Sequence, residues 1–316
     1  SSHGSACGLR EILLGENPLE TERLWQKMGR QTQSFGRNSL ALAAMSAVDV
    51  ALWDLKGKHY NEPIHRLLGG RQHERFSSYA SVTFGQDGSQ TQAMARRWIK
   101  ARYSGVKLGG GAFGQNEEMD IELVRGARAG AGEKAKVMVD ARGAWDARTA
   151  LKRAEAFAEM QIDWIEEPLP SDDIEGYSWL RDRSPVPIAA GKGEFGRESF
   201  RAFLDRHALD VYQVELSRCG FTDAAYLRGR VEEIRASLAN LCSPNPISLA
   251  ASLHWLSTCR DASMIEDGVS DSPMSHLIQE QLMEYDCSAK VPDQPGLGIN
   301  LNEDFIKENL VAESGR

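Results

Sequence analysis

VMVDAR (137–142), WIEEP (164–168) and IAAGKGE (188–194) each carry a short apolar run into a charged residue. Asp140, Glu166 and Lys192 stand 26 residues apart in turn, and an amphipathic helical stretch fills each gap. That spacing predicts strand–helix–strand–helix, with parallel strands whose C-terminal ends share one face. Polar groups at such ends converge on a single cavity. Further apolar runs extend the pattern outward: SSYASV (77–82), GVKLG (105–109), DVYQVE (210–215), NLCSPN (240–245) and SMIED (263–267). Between them lie helical stretches such as 116–130, 148–160, 197–207, 222–237 and 249–257. The expected class is α/β, a (β/α)7β barrel over 76–284.

Residues 1–75 read differently. Thr21–Arg30 and Ser39–His59 carry apolar residues at helical spacing, and Asn61, Pro63 and Gly69–Gly70 punctuate the end of the second. The face bearing Ala47, Ala51 and Trp53 is expected to be buried. This segment reads as a first, helical domain. The tail 285–316 breaks the βα pattern with VPDQPGLG and is expected to return to that domain.

The 316 residues suffice for a barrel and a small second domain. A net charge of −8 argues against nucleic acid as a partner. No apolar run is long enough to span a membrane, and no signal peptide is legible. Cys7, Cys219, Cys242, Cys259 and Cys287 are odd in number and form no CxxC pair, which suits reduced thiols in a cytoplasmic protein.

AMSAVDVALWDLKGK (44–58), LLGG (67–70), VKL (106–108), VMVDA, WIEEPL, the IAAG–E strand and PGLGINL (295–301) together resemble the enolase superfamily. The nearest branch is the mandelate racemase/muconate lactonizing group, especially its sugar-acid dehydratases. The resemblance covers about residues 11–304. It implies an α+β capping domain, with 1–75 as its helical part and 285–316 returning to it, on a (β/α)7β barrel; a lyase or isomerase acting α to a carboxylate; a small anionic sugar acid as substrate; Mg²⁺ on three strand-end carboxylates; and a homo-oligomer. The family's N-terminal capping strands have no obvious counterpart before residue 11.

Carried over residue by residue, the resemblance makes Asp140 and Glu166 metal ligands and puts Lys192 where the third would stand. An ammonium cannot coordinate a cation. Two carboxylates and one ammonium nevertheless carry the same net charge as three carboxylates around a divalent ion. Mg²⁺ is therefore in doubt for this chain, with Glu194 the candidate substitute ligand. A Schiff-base role for Lys192 is disfavoured, because an ammonium held by two acids is a poor nucleophile.

Lys107 matches the first lysine of the family's Lys-x-Lys strand and is a candidate base or substrate-carboxylate clamp. Gly109 takes the second position and has no side chain to move a proton. On the other face, Glu215 matches an acidic partner, and Asn245 stands in place of a histidine. Asparagine hydrogen-bonds but carries no proton near neutrality. His254 reads as a packing residue. Arg142 and Lys192 are candidate substrate-carboxylate binders. Two functions follow as expectations: an acid-sugar dehydratase or racemase-like enzyme, or a catalytically degenerate relative whose metal-free cationic pocket binds an anionic sugar acid.

Overall fold

The change from helical to strand periodicity falls at residue 75, and the backbone changes there too. The computed structural model describes residues 8–36, 40–241, 245–262, 264–269 and 272–310. Four helices come first: α1 (Leu9–Leu13), α2 (Thr21–Gln31), α3 (Leu40–Tyr60) and α4 (Ile64–Leu67). Strand and helix then alternate through β1 (Arg75–Thr83), α5 (Gly88–Lys100), β2 (Gly105–Gly109), α6 (Glu117–Ala131), β3 (Lys136–Asp140) and α7 (Ala147–Ala158). The alternation continues with β4 (Trp164–Glu166), α8 (Ile174–Arg181), β5 (Ile188–Ala190), α9 (Gly196–Asp205), β6 (Val211–Val214) and α10 (Leu216–Glu233). It closes with β7 (Ser237–Asn240), α11 (Pro246–Leu256) and β8 (Met264–Asp267), followed by β9 (Ser288–Lys290) and α12 (Glu303–Glu308).

The parallel strands run in the order β7-β6-β5-β4-β3-β2-β1-β8. This is the nearly closed (β/α) barrel the repeat implied. Its remaining seam, between β7 and β8, is bridged by a side chain: Glu266 N–H donates to Asn240 Oδ1 at 3.1 Å. Helix starts are fixed by caps. Asp87, Asn116, Asp146 and Asp173 each accept a backbone N–H of the first turn of the helix that follows. Each such cap contributes about 1 kcal/mol and holds the loop leaving the strand end before it.

Pleat alternation decides what faces the barrel axis. Val106, Leu108, Val137, Val139, Ile165, Ile188, Tyr212 and Val214 join the large core shared with the helices. The intervening residues Lys107, Asp140, Glu166 and Gln213 are left facing inward, and all four are buried. Polar side chains at these alternate positions are what bring the site together.

One strand is displaced from expectation. The seventh strand is Ser237–Asn240 rather than 240–245, because α10 ends at Glu233 and Arg235 (φ 58°) turns the chain early. Residues 242–244 of the expected run, like Cys7, lie outside the described residues. Cys219, Cys259 and Cys287 are free thiols.

The expected face of α3 is the wrong one. Ala47 and Ala51 are exposed and Trp53 is half-buried. Met45, Ser46, Asp49, Val50 and Gly57 are buried instead. Residues two apart on a helix lie about 200° apart, so Ala51 and Trp53 cannot share a face. The buried line runs through a polar residue because Asp49 caps another helix. Gly220 (φ 59°) breaks α10, and the turn after it begins with Thr222 donating to Asp49 from N–H (2.9 Å) and Oγ1 (2.6 Å). A Cβ at 220 would stand 2.5 Å from the Asp49 carboxylate. Trp53 Nε1 donates to the same Thr222 hydroxyl at 3.0 Å, so α3 is latched to the barrel through three hydrogen bonds.

The tail also returns to the N-terminal helices. β9 pairs antiparallel with β1. Ile64 N–H donates to Gly296 O at 3.1 Å, and Leu297 N–H donates to Asp54 Oδ1 at 2.8 Å. His254 completes this junction. Its Nδ1 accepts from His65 N–H at 3.3 Å, which leaves Nε2 to donate to Leu297 O at 3.0 Å. Burial pushes its pKa down to about 4, so it is a neutral packing residue. No described helix is long and apolar enough to cross a membrane.

Candidate functional site

The inward-facing charges form one continuous network at the C-terminal ends of the strands. Lys107 Nζ, on β2, lies 2.7 Å from Glu166 Oε2 and 2.9 Å from Glu266 Oε1, at the ends of β4 and β8. Gln213 Nε2, from β6, donates to the same Glu166 oxygen at 2.7 Å. Tyr79 OH donates to Glu266 Oε2 at 3.4 Å. Lys192 Nζ, from the loop after β5, reaches Asp140 Oδ2 at 2.7 Å, Glu167 Oε2 at 3.2 Å and Glu166 Oε1 at 3.4 Å. Positive and negative groups alternate across the barrel: Glu266, Lys107, Glu166, Lys192, Asp140.

Burial opposes every charge here, and pairing decides the outcome. Desolvation pulls the Lys107 ammonium down, but Glu166 and Glu266 outweigh it and hold the pKa well above the usual lysine range. Burial would raise Glu166, yet Lys107 and Lys192 hold it low. Lys192 is likewise pulled down by burial and more than restored by Glu166 and Asp140. For Glu167, at the outer edge, burial wins and pushes the carboxyl up.

Two backbone features aim this cluster. Arg142 (φ 52°) and Glu167 (φ 42°) both sit in the left-handed region just past a strand end. Non-glycine residues pay about 1–3 kcal/mol for that conformation, and it persists where surroundings over-determine it. At 142, the backbone N–H donates to Asp140 Oδ1 at 3.0 Å. At 167, N–H donates to Ala189 O at 2.8 Å while the carbonyl accepts from Gly143 at 2.7 Å. These bonds swing Glu167 toward Lys192.

The glycines of 109–111 complete the geometry. A Cβ on Gly110 would stand 2.8 Å from the Arg142 guanidinium, so the arginine lies directly over this loop. A Cβ on Gly109 would stand 2.8 Å from Asp140 Cβ and 2.9 Å from Asp140 O. Gly109→Lys is therefore expected to lower stability by about 1–3 kcal/mol, as overpacking does, rather than supply a base. A thermal melt checks this, and an unchanged melting temperature would contradict it.

The remaining sequence candidates fall as follows. Glu194 does not join Asp140 and Glu166; its carboxyl turns to Ser199 and is pushed up by burial. The third carboxylate at Lys192 is Glu167 instead. Asn245 accepts from Ile247 N–H at 2.9 Å and caps α11. Glu215 accepts from Ser217 Oγ and pairs with Arg218 at 2.9 Å. Arg218 also donates to Lys192 O. Gln213 and Glu266 were missed from the sequence, although both lie in the quoted strands, at DVYQVE and SMIED.

Mg²⁺ takes oxygen ligands at about 2.0–2.1 Å in near-octahedral array. Here three carboxylates surround a nitrogen at hydrogen-bonding distances, and an ammonium offers no lone pair to a metal. Among the described residues no group of three or more His, Cys, Asp or Glu stands arranged to hold an ion. The residues present do not fit the Mg²⁺ that the resemblance implied.

Comparison with known proteins places this architecture. Residues 90–305 match the enolase C-terminal domain-like family, and residues 5–69 match the mandelate racemase/muconate lactonizing enzyme N-terminal domain. The chain is 30% identical over 322 residues to a D-galactonate dehydratase of Ralstonia nicotianae, covering 95% of this chain and 82% of the relative. It is 28% identical over 317 residues to a D-galactarolactone cycloisomerase of Agrobacterium fabrum, covering 94% and 81%. The crystal structure of a 3,6-anhydro-D-galactonate cycloisomerase from Zobellia galactanivorans superimposes with a TM-score of 0.85 at 26% identity, over 94% of this chain and 83% of that one. These relatives are lyases and isomerases by name, from a superfamily whose members generally use Mg²⁺. With both of its domains matched and the strand-end site in the expected barrel, the chain belongs to the mandelate racemase/muconate lactonizing enzyme group of the enolase superfamily.

Proposed function

We propose that the chain binds a small sugar-acid carboxylate at the barrel mouth, with no metal ion, beneath Arg142 and Arg218. The observation that carries this reading is the order of charge with depth. Apart from the deeply buried Lys107, the cationic side chains are the more exposed ones: Arg142 at 60%, Arg218 at 32% and Lys192 at 24%. The carboxylates of Asp140, Glu166, Glu167, Glu215 and Glu266 are each 15% exposed or less. An incoming anion meets guanidinium groups first, in a chain of net negative charge. The Lys192 ammonium has three N–H donors facing three carboxylates, so the free donors belong mainly to Arg142. Its planar fork suits a carboxylate in bidentate fashion. The relatives named for galactonate and galactarolactone supply the sugar-acid class.

Proton transfer α to the carboxylate by the family's route is disfavoured. It needs a base beside the substrate and a cation to hold the enediolate. Lys107 is buried and paired twice, position 109 has no side chain, and Asn245 is spent as a cap. A second reading, turnover as a lyase or isomerase, is favoured by Glu215. That carboxylate follows β6 directly, at the mouth, where Ser217 and Arg218 hold it.

Incubation with D-galactonate and related sugar acids in D₂O, followed by NMR, separates the two. Ligand line-broadening or shift with the α-proton retained supports binding alone. Loss of the α-proton signal, abolished by Glu215→Gln, would establish the second reading. Arg142→Gln is expected to weaken sugar-acid binding roughly tenfold, about 1.4 kcal/mol, with the fold intact. Calorimetric titration measures it, and unchanged affinity would remove Arg142 from the site.

A further inference from the structure

We propose that the Lys192 ammonium is the resident cation of this site and keeps divalent metal ions out of it. The inference deepens the reading above, since it concerns the same pocket. Metal uptake is measured without any sugar acid, so the two can fail separately.

Position is the first ground. Nζ sits among oxygens of three carboxylates, Asp140 at 2.7 Å, Glu167 at 3.2 Å and Glu166 at 3.4 Å. An ion ligated by those oxygens would have to take the nitrogen's own place. Like charges a few ångströms apart repel strongly in a half-buried site, so the two cations cannot share it.

Anchoring is the second. Arg218 donates to the Lys192 carbonyl and pairs with Glu215 at 2.9 Å, which ties the loop after β5 to the start of α10. The lysine is held at its backbone as well as at its ammonium. The third ground is the lack of a replacement: Glu194, two residues on, is turned toward Ser199. The left-handed backbone at Glu167 supports the same conclusion, because that turn points a third acid at the ammonium.

Mg²⁺ titrated into the wild-type chain should give no binding heat and no change in melting temperature. Lys192→Gln removes the charge, and Lys192→Glu replaces it with a carboxylate. Both should bind Mg²⁺ at least ~100-fold more tightly than the wild type and melt at a temperature that rises with Mg²⁺ concentration. A variant unfolded without ion is read by the same titration, because an ion that binds only the native state refolds it. Mg²⁺ uptake by the wild type that is lost in Asp140→Asn would overturn the proposal. So would indifference of both variants to Mg²⁺ and Ca²⁺.

Discussion

Lys107→Met is expected to destabilise the chain by about 3–5 kcal/mol, the cost of leaving a buried ion pair half-removed. Methionine keeps most of the bulk and removes only the charge and its donors. Glu166 and Glu266, both buried, would then lose the ammonium 2.7 and 2.9 Å away. Glu166 would retain Gln213 and Lys192. Glu266 would retain the longer Tyr79 bond at 3.4 Å. The expected compensation is therefore specific: adding Glu266→Gln to Lys107→Met should recover part of the loss, since it neutralises the acid left with the weaker support. Urea unfolding of the two variants measures both effects. A loss below about 1 kcal/mol for Lys107→Met would mean that the network does not hold the barrel interior together.

The second large effect is on pH dependence, at the latch between α3 and the barrel. Burial pushes the Asp49 carboxyl up to about 7, against hydrogen bonds from Thr222 that oppose the shift. The neighbouring Asp223 is pushed up to about 6, again by burial. A carboxyl whose folded pKa exceeds its unfolded value binds more protons in the native state. Its contribution is complete below the unfolded value of 3.8 and is lost as pH rises through about 7. For Asp49 the shift corresponds to a loss on the order of 4 kcal/mol. Wild-type stability should thus fall between about pH 4 and pH 7. Asp49→Asn keeps an oxygen to accept from Thr222 N–H and an amide to donate to its hydroxyl. It should flatten much of that fall and be the more stable protein at about pH 8. Denaturant unfolding across pH tests this; equal slopes for the two proteins would assign the effect elsewhere.

The barrel is legible in the sequence because the deciding signal is repeated. Asp140, Glu166 and Lys192 each end an apolar run at one interval, and parallel strands so spaced can only present their ends together. Lys192 beside Asp140 and Glu166 follows from that alone. What the sequence hides are contacts that need backbone torsion or barrel closure. Pleat alternation alone would turn Glu167 away from Glu166, and the φ of 42° brings it to Lys192 instead. Glu266 meets Lys107 because closing the barrel brings β8, the last parallel strand in sequence, beside β1, the first. The buried face of α3 departs from the expected one for a related reason. Asp49 is buried because Gly220 breaks a helix over 170 positions away and leaves N–H groups for its carboxylate to accept from. Glu194 lies within loop reach of the cluster, but a bond to Ser199 at the start of α9 takes it away.

Recognition of a sugar acid without a metal ion is what would set this site apart from a Mg²⁺-dependent one. Its most direct measurement is calorimetric titration of D-galactonate into the wild-type chain, once with a chelator and once with excess Mg²⁺. Binding is expected in both, with dissociation constants equal to within about twofold, because the cations that meet the acid are side chains of the protein. Binding that appears only with Mg²⁺ would contradict it, and would mean that Lys192 leaves its three carboxylates to admit the ion.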